Sequence, residues 1–187
     1  MHVAIFPATD VHVAHLLPQV READRAEFAA FSGMTTAQVL DIGLRCSTAA
    51  YAGLVNNDVV VIFGVSPRSL FTGSGVPWLV ASDQLPRYQK AFLRRCRPLV
   101  QEFLGLYPFL ENYVDARNTV AIRWLRWLGF QLNDATPAGV AGLPFHRFEM
   151  RRNQDVRSDS GPSRRDGTGG TSGVRAGAAG KTDAGCR

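Results

Sequence analysis

Five consecutive apolar residues, Val59, Val60, Val61, Ile62 and Phe63, restrict the possible folds of this chain more tightly than any other stretch. Successive side chains of an extended strand point to opposite faces. A run with no polar alternate is therefore a strand covered on both faces, as at the centre of an α/β sheet. Helical spacing elsewhere supplies the covers. Tyr88, Phe92, Cys96, Leu99, Phe103 and Leu106 recur every three or four positions and predict a long helix over 86–106. Pro98 is expected to kink it, because proline removes one hydrogen bond and crowds the preceding turn.

The other segments arrange themselves around that strand. Residues 2–8 are a short β-rich run, and Thr9 and Asp10 offer a cap for the helical segment after them. From 11 to 31, Val13, Leu16, Leu17, Val20, Ala23, Phe28 and Phe31 keep near-helical spacing, with Pro18 as an expected break and Gly33 as the end. A helix over 36–46 comes next, capped by Thr35 or Thr36. Strands over 48–55 and 59–65 flank Asn56, Asn57 and Asp58, which tolerate the positive φ of a tight hairpin turn. Residues 67–75 read as loop and 76–81 as another strand. A strand over 109–114 precedes a helix over 120–128, capped by Asn118 and closed by Gly129. Residues 130–132 and 144–150 read as a last strand pair joined by a Gly/Pro-rich link. The predicted order is β-α-α-β-β-β-α-β-α-β-β, a mixed β-sheet flanked by helices in the α/β class.

Composition changes abruptly near residue 151. From Arg152 onward there is no aromatic residue, and Gly, Ser, Thr and Arg recur. Such a segment cannot bury enough apolar surface to offset its ordering entropy. The chain therefore divides into a folded domain over 1–151 and an expected disordered, Gly/Ser/Arg-rich basic tail over 152–187. Most of the formal charge of +5 belongs to the tail: residues 1–150 hold 13 basic and 12 acidic residues. Weak, salt-dependent contact with nucleic acid is the partner that such a tail suggests.

Several classes are excluded as expectations. No apolar run approaches the roughly 20 residues of a membrane-spanning helix, and no basic-then-apolar leader opens the sequence, so no secretory signal is expected. Cys46, Cys96 and Cys186 are too far apart for a metal knuckle or a disulfide framework; the first two read as small buried residues in a reducing compartment. His12 and His15 share a helix face but lack a carboxylate or thiolate to complete a metal site, so no metal is expected. His146 reads as a packed or edge residue, and Ser66, Ser69, Thr72 and Ser74 as loop. Two charged groups read as solvated helix faces: Glu22, Asp24 and Glu27 among Arg21 and Arg25, and Arg94, Arg95, Arg97, Arg123 and Arg126 further on.

The segment 114–130, VDARNTVAIRWLRWLGF, together with the element order, resembles the GNAT superfamily of acyl-CoA-dependent N-acyltransferases. Asn118, Ala121, Ile122, Arg123, Gly129 and Phe130 fall at that family's offsets. The resemblance implies acetyl-CoA as donor, held in the gap where two strands diverge beside Asn118, with backbone around Val80, Ala81 and Ser82 on the pantetheine and Arg87 near the phosphates. It also implies that the first helices shape the acceptor site, where Glu27 is a candidate to hold an amine. Four stretches, 20–33, 75–85, 112–130 and 144–151, resemble the internal virion protein A family of podophages, itself GNAT-like. That likeness implies a virion-associated or morphogenetic binding module, with other virion proteins as partners and the virion interior or host cytoplasm as location.

Two departures from the enzyme pattern stand out. The stretch 81–91, ASDQLPRYQKA, has no glycine where GNAT enzymes carry a glycine loop for the CoA pyrophosphate, and Asp83 adds a negative charge there. By local chemistry alone, Asp83 is a cap and Pro86 a first-turn proline. The position seven residues after Asn118, where many of these enzymes place a tyrosine acid, is Leu125, which has no proton to give. Tyr88 and Tyr113 are the alternative candidates for that acid, although each reads first as a core or rim aromatic. These departures leave two expectations: a binding module with degenerate acyl-CoA machinery, or an active acetyltransferase with a non-standard pyrophosphate loop.

Overall fold

The computed structural model describes residues 2–69 and 71–152; the predicted tail after its first residue, Arg152, lies outside the described residues. Strand β1 (Val3–Pro7) leads to helices α1 (Asp10–Leu16), α2 (Glu22–Ser32) and α3 (Thr36–Cys46). Strands β2 (Ala49–Val55), β3 (Asp58–Ser69) and β4 (Ser74–Ala81) come next, then helix α4 (Leu85–Leu106). Strand β5 (Phe109–Asp115), helix α5 (Thr119–Leu128) and strands β6 (Gln131–Ala138) and β7 (Leu143–Arg151) complete the domain. The seven strands form one mixed sheet in the order β1-β2-β3-β4-β5-β7-β6.

The apolar run lies in β3, at the middle of the antiparallel half, and its side chains divide between two cores. Val61, Phe63 and Val65 pack with Phe92, Cys96 and Phe103 of α4, whereas Val59 and Ile62 pack with Leu16, Val20 and Leu40 on the α1–α3 face. Val59 and Val60 depart from strict alternation because the β2–β3 register shifts at Gly53 and Leu54. Full burial of such a side chain contributes roughly 1.5–3 kcal/mol. Asn56 (φ 50°) and Asn57 (φ 75°) make the predicted left-handed turn.

The apolar pattern over 11–31 breaks at Pro18 as expected, at a single 3₁₀ turn, Leu17–Gln19, so three helices precede β2 where the predicted order has two. Two boundaries differ from the sequence reading. The expected loop over 67–75 is mostly hairpin, because β3 continues to Ser69 and β4 starts at Ser74. The Gly/Pro-rich link is in fact most of β6, an exposed edge strand that accommodates Pro137 because its outer side has no ladder to complete. Helix α4 continues as one element through Pro98. No helix among the described residues is long and apolar enough to cross a membrane.

Strands β4 and β5 position the site. They are parallel, yet they pair only at Ser74 with Phe109 and Gly75 with Leu110. Beyond that point they separate, and a wedge opens through the sheet. Gly75 stands where they last meet because a Cβ there would come within 2.6 Å of the Tyr107 ring.

Candidate active site

The wedge holds a cavity of about 170 Å³. On the helix α4 and α5 side it is apolar, lined by Phe92, Leu99, Phe103, Leu125 and Leu128; on the α2 side it reaches Arg21, Asp24, Glu27 and Asn118. Asn112 bridges the gap, its Nδ2 donating to the Pro77 carbonyl at 2.9 Å.

The ladder decides what the open edge of β4 presents. The Ser82 N–H bonds the Val60 carbonyl of β3 at 2.9 Å, so alternate residues Val80 and Trp78 also turn toward β3. Pro77, Leu79 and Ala81 turn toward the wedge. Ala81 is already engaged: its N–H donates to Asp24 Oδ2 at 2.9 Å and its carbonyl accepts from Arg21 N at 2.9 Å. A one-pair bridge, Val20 with Ser82, extends this contact. The connection between α1 and α2 thus lies along β4 like a short strand at the end of the wedge. Arg21 and Asp24 close it with a buried ion pair of 2.6 Å, the guanidinium lying 5.6 Å from the centre of the Trp124 ring. The charge pattern predicts a solvated face for both; their burial corrects that expectation. The Leu79 peptide is what β4 turns into the middle of the cavity.

The turn into α4 leaves little for a phosphate. The Asp83 N–H donates to Gln19 O (3.3 Å), the Gln84 N–H to Ser82 Oγ (3.3 Å), the Leu85 N–H to Ser82 O (3.1 Å) and the Arg87 N–H to Gln84 O (3.0 Å). Pro86 has no N–H. A diphosphate needs several free amides at such a helix end, and these amides are satisfied within the chain. The nucleotide end of CoA therefore does not fit here as it fits a glycine loop. Arg87 is exposed and able to act only as a point charge.

Glu27, half-buried on α2, is the carboxyl at the wedge that burial moves into the neutral range. Its Oε2 accepts from Asn118 Nδ2 at 3.0 Å. Burial pushes its carboxyl up to about 7, a shift that the Asn118 hydrogen bond opposes and the neighbouring Asp24 reinforces. Asn118 also caps α5, its Oδ1 accepting from the Ala121 N–H at 3.2 Å. One side chain therefore fixes both the start of α5 and the carboxyl across the wedge. Asp115, behind them, is held ionised by Arg117 at 2.6 Å, which lowers its carboxyl from the ordinary value. Asp115, Arg117 and Asn118 line a recess of about 200 Å³ with Ala23 and Ala26 of α2.

The structure brings together Glu27, Asn118 and Tyr113, whose ring lines the cavity 5.2 Å from that of Phe31. Tyr88 packs against the α4 core outside the cavity lining, and Ser82 is fully buried in the turn. Leu125 lines the cavity, with Trp124 buried beside it and Trp127 exposed on the outer face. His146 Nδ1 contacts the Asn133 carbonyl at 2.8 Å on the β6–β7 edge. His12 folds back onto its own cap, accepting from Thr9 N at 3.1 Å. Among the described residues no group of three metal-ligating side chains forms. Cys96 is buried as expected, whereas Cys46 is half-buried at the end of α3.

No protein-family model matches the chain, and comparison with curated proteins finds no match. Solved structures do match. A ribosomal-protein-alanine N-acetyltransferase from Brucella melitensis superposes with a TM-score of 0.62 at 17% identity, covering 80% of this chain and 99% of that one. A GNAT-family acetyltransferase from Streptococcus pneumoniae gives 0.55 at 15% identity over 80% and 99%. AAC(6')-Ib, solved with ribostamycin and coenzyme A, gives 0.61 at 14% identity over 86% and 100%. Identities this low speak to architecture alone, and with the parted β4 and β5 they show that this chain has the fold of the GNAT acetyltransferases.

Proposed function

We propose that the domain is an N-acyltransferase that moves an acyl group from a thioester to an amine, with Glu27 as the group that takes the amine proton. The observation that carries this reading is the Glu27 carboxyl, held near 7 by burial and oriented by Asn118 at the cavity where β4 and β5 separate. A base poised near neutral pH is matched to deprotonating an attacking amine. The amine nitrogen attacks the thioester carbonyl; the C–N bond forms, the C–S bond breaks, and one proton passes from nitrogen to the departing sulfur. Glu27 takes that proton first. The leaving sulfur receives its proton from water or from Tyr113, because Leu125 has none to give.

The test is transfer from S-acetyl-pantetheine to a panel of small amines by the purified chain. The rate is expected to rise with pH to a plateau above about 7, since Glu27 works only when ionised. Glu27→Gln is expected to lower the rate by about 100-fold or more, within the range for loss of a general base, and to flatten that pH profile. An unchanged rate in Glu27→Gln overturns the assignment.

A second reading rests on the likeness of four segments to the internal virion protein A family: a virion-associated binding module that has lost acyl transfer. The satisfied amides at the start of α4 and Leu125 in the acid position favour it. Mass spectrometry of purified particles tests it. Presence in the particle, with no transfer from any thioester, supports it; absence from the particle refutes it.

A further inference from the structure

The near-neutral charge of the domain conceals a strong polarisation. Helices α4 and α5 carry seven basic residues, Arg87, Lys90, Arg94, Arg95, Arg97, Arg123 and Arg126, against one acidic residue, Glu102. All seven are exposed. Glu102 is occupied by Tyr51, whose hydroxyl donates to it at 2.5 Å. Lys90, Arg94 and Arg97 recur at helical spacing along one stripe of α4. Arg97 places that stripe beside α5: its guanidinium lies 4.0 Å from the centre of the Trp127 ring and its Nη2 donates to the Trp127 carbonyl at 3.1 Å. Arg123 and Arg126 lie within about one turn of Trp127, so the two helices present one continuous basic face. The inner faces of these same helices line the apolar cavity that leads to Glu27.

The α4 turn does not cradle a diphosphate, yet the surface outside the cavity is built for negative charge. We infer that the thioester reaches this domain on the phosphopantetheine arm of an acidic carrier protein, which docks on the basic face of α4 and α5. This rests on the thioester-to-amine reading above. A carrier-borne arm has one phosphodiester and no nucleotide, so it needs no amide nest. Its affinity comes from charge complementarity between two protein surfaces, and side chains such as Arg87 and Lys90 are sufficient for its single phosphate. The chemistry balances as before: the thioester C–S bond breaks, the amide C–N bond forms, and the arm departs as the free thiol with the amine's proton.

The experiment uses the protein and its triple variant Arg94→Glu, Arg95→Glu, Arg123→Glu, whose exposed positions leave the core, the phosphate-facing side chains and Glu27 untouched; circular dichroism confirms its fold. Binding of a fluorescent, acetyl-loaded acyl carrier protein is followed by anisotropy. Micromolar binding is expected, weakened at least 30-fold in the variant and by 0.5 M salt. Transfer is expected to favour the carrier-borne thioester over acetyl-CoA by at least 100-fold in kcat/KM, with S-acetyl-pantetheine turnover equal in both proteins. Absent carrier binding overturns the inference, and so does binding indifferent to the three substitutions. So does equal use of acetyl-CoA, or tighter binding of duplex DNA with the same sensitivity, which assigns the face to nucleic acid. Charge-dependent docking without transfer from any thioester retains the surface and refutes the acyltransferase reading instead.

Discussion

Among single residues, two carboxyls on one helix are both raised by burial but are held by different partners. Asp24 is buried, and burial raises its carboxyl while the Arg21 guanidinium pulls it back; the pair holds because Arg21 and the Ala81 N–H both donate to it. Asp24→Ala leaves a buried guanidinium and an amide without partners, and is expected to cost about 3–5 kcal/mol, readable by urea unfolding. Glu27, one turn further, forms no ion pair among the described residues. Its folded value of about 7 lies above the ordinary 4.5, so the protonated form is the one that folding favours. The stability it contributes is full below 4.5 and is lost as pH rises through about 7, a decline of up to roughly 3 kcal/mol at about 1.36 kcal/mol per unit. Glu27→Gln, which cannot ionise, is therefore expected to melt higher than the wild type at pH 8 and to match it at pH 4, by calorimetry. Neither arrangement is legible from the chain alone. Arg21, Glu22, Asp24, Arg25 and Glu27 form the charge pattern of a solvated face, and only the packing of α2 across β4 and β5 separates the buried members from the exposed ones.

Among the elements, the decisive event is the parting of β4 from β5. Gly75 permits their last pairing, and its missing Cβ is replaced in space by the Tyr107 ring and Val65. Gly75→Ala forces those neighbours to move, and is expected to cost about 1–3 kcal/mol in a well-packed region, measured by chemical denaturation. Helices and turns are largely readable because their signals are local: Thr35 caps α3, Asn118 caps α5, Gly129 ends it at φ 102°, and two asparagines make the β2–β3 turn. Edges are not. The strand character of 133–138 comes from pairing with β7, and a stretch bearing Asn, Asp and Pro offers no local sign of it.

For the whole molecule, the sheet separates two chemistries. The α1–α3 face brings carboxyls to the wedge, and the α4–α5 face carries apolar side chains inward and arginines outward. Net charge suggests a neutral domain, since +6 on two helices is balanced by −5 elsewhere within residues 1–150. The three-dimensional distribution, rather than the sum, decides what such a surface attracts.

Fold class, the central strand and the lack of a glycine loop before α4 are all written in the order of the residues, because periodicity, caps and missing glycines are properties of neighbours along the chain. The role of Asn118 as a helix cap is written there too. Folding in three dimensions adds that Asn118 orients Glu27 from 91 positions away, that Arg21 and Asp24 engage the peptide of Ala81, and that the arginines of two helices merge into one face. Each of these depends on which elements share a boundary in space, and desolvation acts on a charge only once that boundary has closed around it.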